Sequence, residues 1–431
     1  MKYALGNMLN GAGGLNADGL ALDLQFAADK TLTARKGPTP VLTRASTATF
    51  VGSNGLIQSA GNNVARFDHD PVTFASRGLL IEEGRTNLLL QSENFGTTWS
   101  SVNLNLTGTP PYLNVATAPD GATTADKLIA TTSIVTHQFR QDVTLVSGTI
   151  YTISVYFKAA ETNFATISVV GTASGGADWV AYFNVSASSP AAGAFNGFAS
   201  TSLIDVGNGW RRCSVTFTAS ASGNLNTRFG GASGSTTGSN FYAGDGTSGF
   251  LIWGAQLEAG SFATSYIPTT TSTLARSGDI CTITGSDFTS FYNQSEGTIV
   301  GSGLTNSPTT NAGPELFRSN DGTSNNRIQL GMTNFPAQAI RPFIVASGTT
   351  TYSSTQGTAT VGVERKVGTA YKTNDTISAF NGTLGTLDTT VTPPTNCNQV
   401  SLFAGLGGGT ISSLRYFKKR LANAKLQALT A

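Results

Sequence analysis

Glu82 and Glu83 stand side by side in the stretch "GLLIEEGRTNLL", two residues ahead of Arg85. A carboxylate pair can serve as the acid and base of a glycosidase, which needs the two groups roughly 5 to 9.5 Å apart across one cleft. Adjacent side chains on an extended strand point to opposite faces, so these two cannot flank one bond. The stretch therefore reads as a joint, with one carboxylate pairing with Arg85 or capping a turn. Asp68, His69 and Asp70 in "RFDHDP" carry metal-ligand chemistry. With Pro71 forcing Asp70 out of helical geometry, an Asx-type turn is the plainer reading. His137, with Gln138, Arg140 and Asp142 nearby, has no nucleophile at a recognisable elbow and reads as a surface strand histidine. No phosphate loop, dinucleotide fingerprint or G-x-S-x-G is present, and the chain is not expected to be an enzyme.

The elements that would position such residues follow from composition. Of 431 residues 50 are glycine, and only 12% are charged against roughly 25% in an average soluble domain. Too few Glu, Lys, Arg and Gln are available to coat several helices, so the fold class is all-β. Lys+Arg 26 against Asp+Glu 24 leaves a net charge of +2 with no basic stripe, which argues against nucleic acid as a partner. Cys213, Cys281 and Cys397 are an odd, widely spaced set, fitting a protein made in a reducing cytoplasm rather than a disulfide framework. No run of about 18 apolar residues exists, so no membrane insertion is expected, and the start lacks the apolar core of a signal peptide.

Three regions follow. Residues 1–86 read as an irregular anchoring and assembly segment, with short alternating pieces at "TATFV", "GLIQSA" and "ARFDH" and too few large apolar residues to stand alone. Residues 87–270 hold runs such as "YTISVYF", "WVAYFNV" and "FLIWGAQLEAG", the spacing of a β-sandwich. In "YTISVYF", Tyr151, Ile153, Val155 and Phe157 share the core face, and Thr152, Ser154 and Tyr156 the wetter one. Residues 271–431 form a second strand-rich block closed by one short helix in "RLANAKLQALTA", after a linker at Tyr266 to Asp279.

The segments "RASTATFV", "RGLLIEEGRTNLLLQSENF" and "FLIWGAQLEAGSFATSYIPT" resemble a module of virion proteins of tailed bacteriophages. That module is similar to carbohydrate-binding modules of jelly-roll fold; Asn87, Leu88, Asn94, Phe95 and Trp99 match its opening strand. The last block, with "EGTIVGSG" and "YKTNDTISAFNG", resembles a concanavalin A-like (laminin-G-like) sandwich. The resemblance implies a sugar site on aromatic rings, and Trp179, Tyr182, Asp178 and Trp99 are its candidates. Trp179 follows a glycine-rich turn and Asp178 could accept from hydroxyls, although the plainer reading of any single tryptophan is core or interface. It also implies a structural calcium where first and last strands meet, at Glu93 and Glu258, although Gln256 stands where an acidic residue is usual.

The resulting expectation is a bacteriophage virion protein, a fibre or tail component that binds host surface polysaccharide. Residues 1–86 would contact other virion proteins, the chain would form a homotrimer, and it would be assembled in the host cytoplasm and exposed on the particle. The alternatives are a purely structural decoration protein and a polysaccharide depolymerase.

Overall fold

The structure is a computed structural model that describes residues 12–106, 112–186, 192–306, 315–331, 341–358, 360–403 and 407–431; the Gly/Asn-rich start, residues 1–11, lies outside them. The fold is all-β, as the composition requires. Two antiparallel sandwiches account for most of it.

The central sandwich packs a six-stranded sheet on a five-stranded one. Across the six-stranded sheet the order is Ala192–Phe195, Trp179–Asn184, Phe164–Gly171, Gly223–Gly231, Gln138–Leu145 and Ser100–Val102. The five-stranded sheet runs Ser200–Asp205, Trp210–Thr218, Ile150–Ala159, Gly249–Ala259, Asp126–Ile129. Period-two alternation sends Tyr151, Ile153, Val155 and Phe157 into the core between the sheets. Thr152, Ser154 and Tyr156 point the other way, yet they too are buried. That face is covered by an outer cluster of Tyr156, Trp210, Trp253 and Tyr266, against which Ile57 packs.

The second sandwich is built from both ends of the chain. Its eight-stranded sheet sets Gly408–Phe417 against Glu296–Thr305 on one side and, on the other, against Ser76–Glu82 and Leu20–Leu24, with Phe67–His69 beyond. Val41–Thr43 likewise edges the seven-stranded sheet beside Ile280–Thr284. The region read as a thin leader is thus a set of strands whose apolar residues, Leu22, Leu24, Phe26, Leu79 and Ile81, complete the core of the C-terminal block. Strands within residues 20–86 therefore pair with the C-terminal block, the neighbour within the chain. The central sandwich is an insertion between the two parts. The Asn-Gly hairpin is present, with Asn381 and Gly382 at φ 43° and 76° joining Ile377–Phe380 to Thr383–Leu384, the geometry of a type I′ turn. The terminal helix, Asn423–Thr430, lays Leu426 and Leu429 on the outer side of the eight-stranded sheet.

The chain leaves and re-enters this sandwich at the Glu82 stretch. Arg85–Asn87 pairs antiparallel with Leu274–Arg276, and Glu82 is the hub beneath that ladder. Its Oε2 accepts from Arg66 (2.7 Å), Arg276 (2.6 Å) and the Ser265 hydroxyl (2.6 Å), while Oε1 accepts from the Ser265 amide at 2.8 Å. Asp279 takes Arg66 at 2.5 Å and Arg44 at 2.8 Å. Burial alone would push the Glu82 carboxyl up; Arg276 and Arg66 override it and hold it down at about 2. Glu83 points away and pairs with Arg85 and the Gly407 amide. Next along, the buried Asn87 amide donates to Ala255 and Ile267 carbonyls and accepts from the Leu89 and Leu257 amides. The stretch is a joint made of ion pairs, as alternation along a strand demands.

Candidate functional site

Beyond this joint, the opening segment of the central sandwich and the outgoing segment toward Arg276 enclose a cavity of about 580 Å³, within the range of small-ligand sites. Most of its lining residues carry polar groups, namely Gln91, Glu93, Asn94, Asn114, Thr124, Thr269, Thr270 and Ser272, and Pro268 and Leu274 complete it. Local hydrogen bonds fix the wall. The Gln91 amide donates to Thr270 O at 2.7 Å and its carbonyl accepts from Trp99 Nε1 at 3.1 Å. These hold Gln91 in the left-handed region at φ 51°, a conformation that costs a residue with a Cβ about 1 kcal/mol or more. Asn114, opposite, is also left-handed at φ 53°. Behind both, Asp126 accepts from the Phe95 amide (2.9 Å) and the Asn114 amide (2.8 Å), and burial pushes its carboxyl up to about 6 against those two bonds.

Among the described residues, Glu93 is the one carboxylate of the lining. One oxygen accepts from Tyr266 Oη at 3.0 Å, and Tyr266 is itself bonded to Ser92. Burial raises the Glu93 carboxyl above its ordinary value, opposed by the Tyr266 bond and assisted by the charge of Asp120. Among the described residues, the side-chain amides of Gln91 and Asn114 and the second oxygen of Glu93 have no protein partner. Such a set of open donors and acceptors around one carboxylate can bind hydroxyl-rich ligands by hydrogen bonds. Among the described residues the lining holds a single carboxylate, and Asp126 is committed to backbone amides behind the wall.

The residues expected to form a sugar platform take other places. Trp99 is 6% exposed and packs against Phe95 and Phe229 in the core, so it offers no face to a ligand. Trp179 and Tyr182 are three apart on one strand and fall on opposite sides of the sheet. Trp179 leans inward onto Phe198 and Phe217, and a Cβ on Gly197 would lie 2.1 Å from its ring, so the bare glycine covers one indole face. Tyr182 is 3% exposed on the outer side, donating to Asn240 at 2.7 Å and accepting from the Gly238 amide at 2.9 Å. Asp178 is exposed and lies 3.4 Å from Arg228.

The calcium pair is not brought together as a metal site. Both oxygens of the buried Glu258 are taken, by Gln256 (2.7 Å), the Thr264 amide (2.8 Å) and the Thr264 hydroxyl (2.7 Å). Calcium needs six to eight oxygens, and among the described residues no group of three or more His, Cys, Asp or Glu could hold a metal ion. Gln256, found where an acid was expected, instead accepts from the Ile267 amide at 2.8 Å. Asp70 makes the Asx turn, accepting from the Val72 and Thr73 amides. His137 is not a surface residue: it is 1% exposed, its ring nitrogens facing the carbonyls of Asn103 and Tyr242 at 2.6 and 2.9 Å.

Among the described residues no helix is long and apolar enough to cross a membrane. No family model matches the chain, and no curated protein matches it in sequence. Solved structures to which it is similar include carbohydrate-binding and laminin-G domains. One is domain 4 of AbnA, a GH43 extracellular arabinanase from Geobacillus stearothermophilus in complex with arabinotriose, at 13% identity, TM-score 0.30, covering 40% of this chain and 81% of that one. Another is the Ruminococcus gnavus IT-sialidase CBM40 bound to alpha2,6 sialyllactose, at 17% identity, TM-score 0.27, covering 32% and 85%. A third is the mouse laminin alpha1 chain, domains LG4-5, at 9% identity, TM-score 0.22, covering 73% and 96%.

Proposed function

We propose that this chain is a non-catalytic glycan-binding protein that holds sugar hydroxyls in the cavity around Glu93. The observation that carries the reading is the pair of unpartnered side-chain amides, of Gln91 and Asn114, beside one carboxylate, with the backbone strained into place at Gln91. Recognition there rests on hydrogen bonds, since among the described residues no aromatic ring lines the cavity. In the wider setting suggested by the sequence resemblance, the protein is a tailed-phage virion component, exposed on the particle and trimeric, that attaches to host surface polysaccharide. Several copies on one particle would strengthen weak individual contacts, because the second contact is intramolecular.

The test is binding of the purified, labelled chain to intact host cells before and after their surface polysaccharide is stripped, with Glu93→Gln alongside. Saturable binding that disappears on stripping, and falls about tenfold in Glu93→Gln, supports the reading. Equal binding by both proteins, or to stripped cells, would move the function to a structural role. A monomeric mass by light scattering would remove the trimer.

A further inference from the structure

The outer face of the six-stranded sheet carries two arginines directly opposite one another. Arg140 on Gln138–Leu145 is the register partner of Arg228 on Gly223–Gly231, with Ser100 beyond Arg140 and Ser168 beyond Arg228 in the same row. Like charges facing each other across a ladder are unfavourable. The surroundings only half relieve this pair. Arg228 donates through Nε to Asn226 at 2.6 Å and meets Asp178 at 3.4 Å, while Asp142 is engaged by the Asn226 amide at 2.6 Å. Burial lowers the Arg228 guanidinium, Asp178 opposes that, and the charge of Arg140 lowers it further. Arg140 is exposed and, among the described residues, has neither a hydrogen-bond nor an ion-pair partner. Compare the joint, where each of three arginines is matched to a carboxylate.

We propose that Arg140 and Arg228 form an anion subsite that takes the carboxylate of an acidic sugar, making the ligand class of this protein an acidic polysaccharide. Neighbouring strands lie about 4.8 Å apart, so two guanidinium forks one strand apart can converge on the two oxygens of one carboxylate. The exposed Ser100 hydroxyl flanks that point along the row and can meet the sugar's hydroxyls. The bound anion gives Arg140 the ion-pair partner it lacks among the described residues. This subsite rests on the glycan-binding reading but lies on a different surface from the Glu93 cavity, so the two can fail separately.

The test uses the full chain against polygalacturonate, hyaluronan and polysialate, each paired with its carboxyl-reduced form, and against a sulfated dextran as a pure charge control. At least one acidic polymer should bind about tenfold more tightly than its reduced form. Arg140→Gln should erase that preference, lowering the acidic form's affinity about tenfold and the reduced form's far less, and Arg140→Lys should restore only part of it, because a lysine lacks the planar fork. Glu93→Gln should weaken both forms alike. The inference is overturned if no polymer outbinds its reduced form, if Arg140→Gln keeps the preference, or if sulfated dextran competes equally well. Binding of reduced forms alone would remove the subsite and spare the glycan reading; binding of none would remove both.

Discussion

Glu82 and Glu93 are carboxylates withdrawn from water eleven residues apart in sequence, and they are provided for in opposite ways. Around Glu82 two arginines and a serine saturate the acceptor oxygens, and the group stays ionised to about pH 2. Around Glu93 there is a single tyrosine hydroxyl and an open cavity. The first arrangement fixes two sandwiches to each other and has nothing left to offer a ligand. The second is under-satisfied, which is the condition in which a ligand's hydroxyls improve the protein's own hydrogen bonding. Arginines divide in the same way: Arg44, Arg66 and Arg276 are matched, Arg140 is not.

The comparison is broken most forcefully at the joint. Arg66→Met leaves Glu82 and Asp279 buried with reduced countercharge, and such a loss costs about 3–5 kcal/mol. A lower urea midpoint is expected, with the two sandwiches unfolding in separable steps; an unchanged midpoint would mean that the network carries no stability.

Acid titration separates the same groups by sign. Glu82, held near 2 from an ordinary 4.5, contributes about 3 kcal/mol that is fully present above pH 4.5 and lost as pH falls toward 2. Asp126 and Asp68, pushed up to about 6 from 3.8, act in reverse. Their native forms hold protons that the unfolded chain has released, so stability declines between about pH 4 and 6, by up to about 3 kcal/mol for each. Stability measured by urea should therefore peak near pH 4 to 5, and Asp126→Asn should take about half the fall out of the upper limb, leaving Asp68's share and the acid limb intact.

Much of the fold was legible because alternation and composition are strong signals. The inward set Tyr151, Ile153, Val155 and Phe157, the Asn-Gly hairpin and the terminal helix all follow from local pattern. What was not legible is long-range pairing. Nothing local in "SRGLLIE" says that it adds to Gly408–Phe417, more than 300 residues away, and so the leader looked poor in core residues when its core lay at the other end of the chain. The same omission hid the second buried face of Ile150–Ala159, which the hairpin near Ile57 helps to cover. At the site, Glu93 could be picked out as an acid near the opening strand, but the left-handed Gln91 has no sequence signature. The opposite facing of Trp179 and Tyr182 was readable, since an odd spacing on a strand separates them; the attraction of two neighbouring aromatics obscured it.

That pair supplies a smaller test. Trp179→Ala removes a half-buried indole from Phe198 and Phe217 and should cost about 2–3 kcal/mol. Tyr182→Phe, which leaves the Gly238 amide and Asn240 without their partner, should cost about 1–2 kcal/mol. Both are expected to show as lowered urea midpoints with glycan affinity unchanged once the folded fraction is accounted for. A selective loss of affinity would return these rings to the binding surface.

Glu93→Gln gives the least change in stability and the sharpest view of the contrast with Glu82. A glutamine keeps an acceptor for the Tyr266 hydroxyl and removes a carboxylate that burial already disfavours, so the midpoint should move by less than about 1 kcal/mol. Sugar hydroxyls, however, would lose a charged acceptor, and hydrogen bonds to charged groups are worth about 1.5–3 kcal/mol. Affinity measured by calorimetry should then drop about tenfold or more with stability held. The same exchange at Glu82 should do the reverse, lowering stability by taking from Arg276 its ion-pair partner and leaving Arg66 with Asp279 alone, while the affinity of the folded fraction is unchanged. If both substitutions act on stability only, the cavity around Glu93 is packing left incomplete, and the open amides of Gln91 and Asn114 have no ligand to meet.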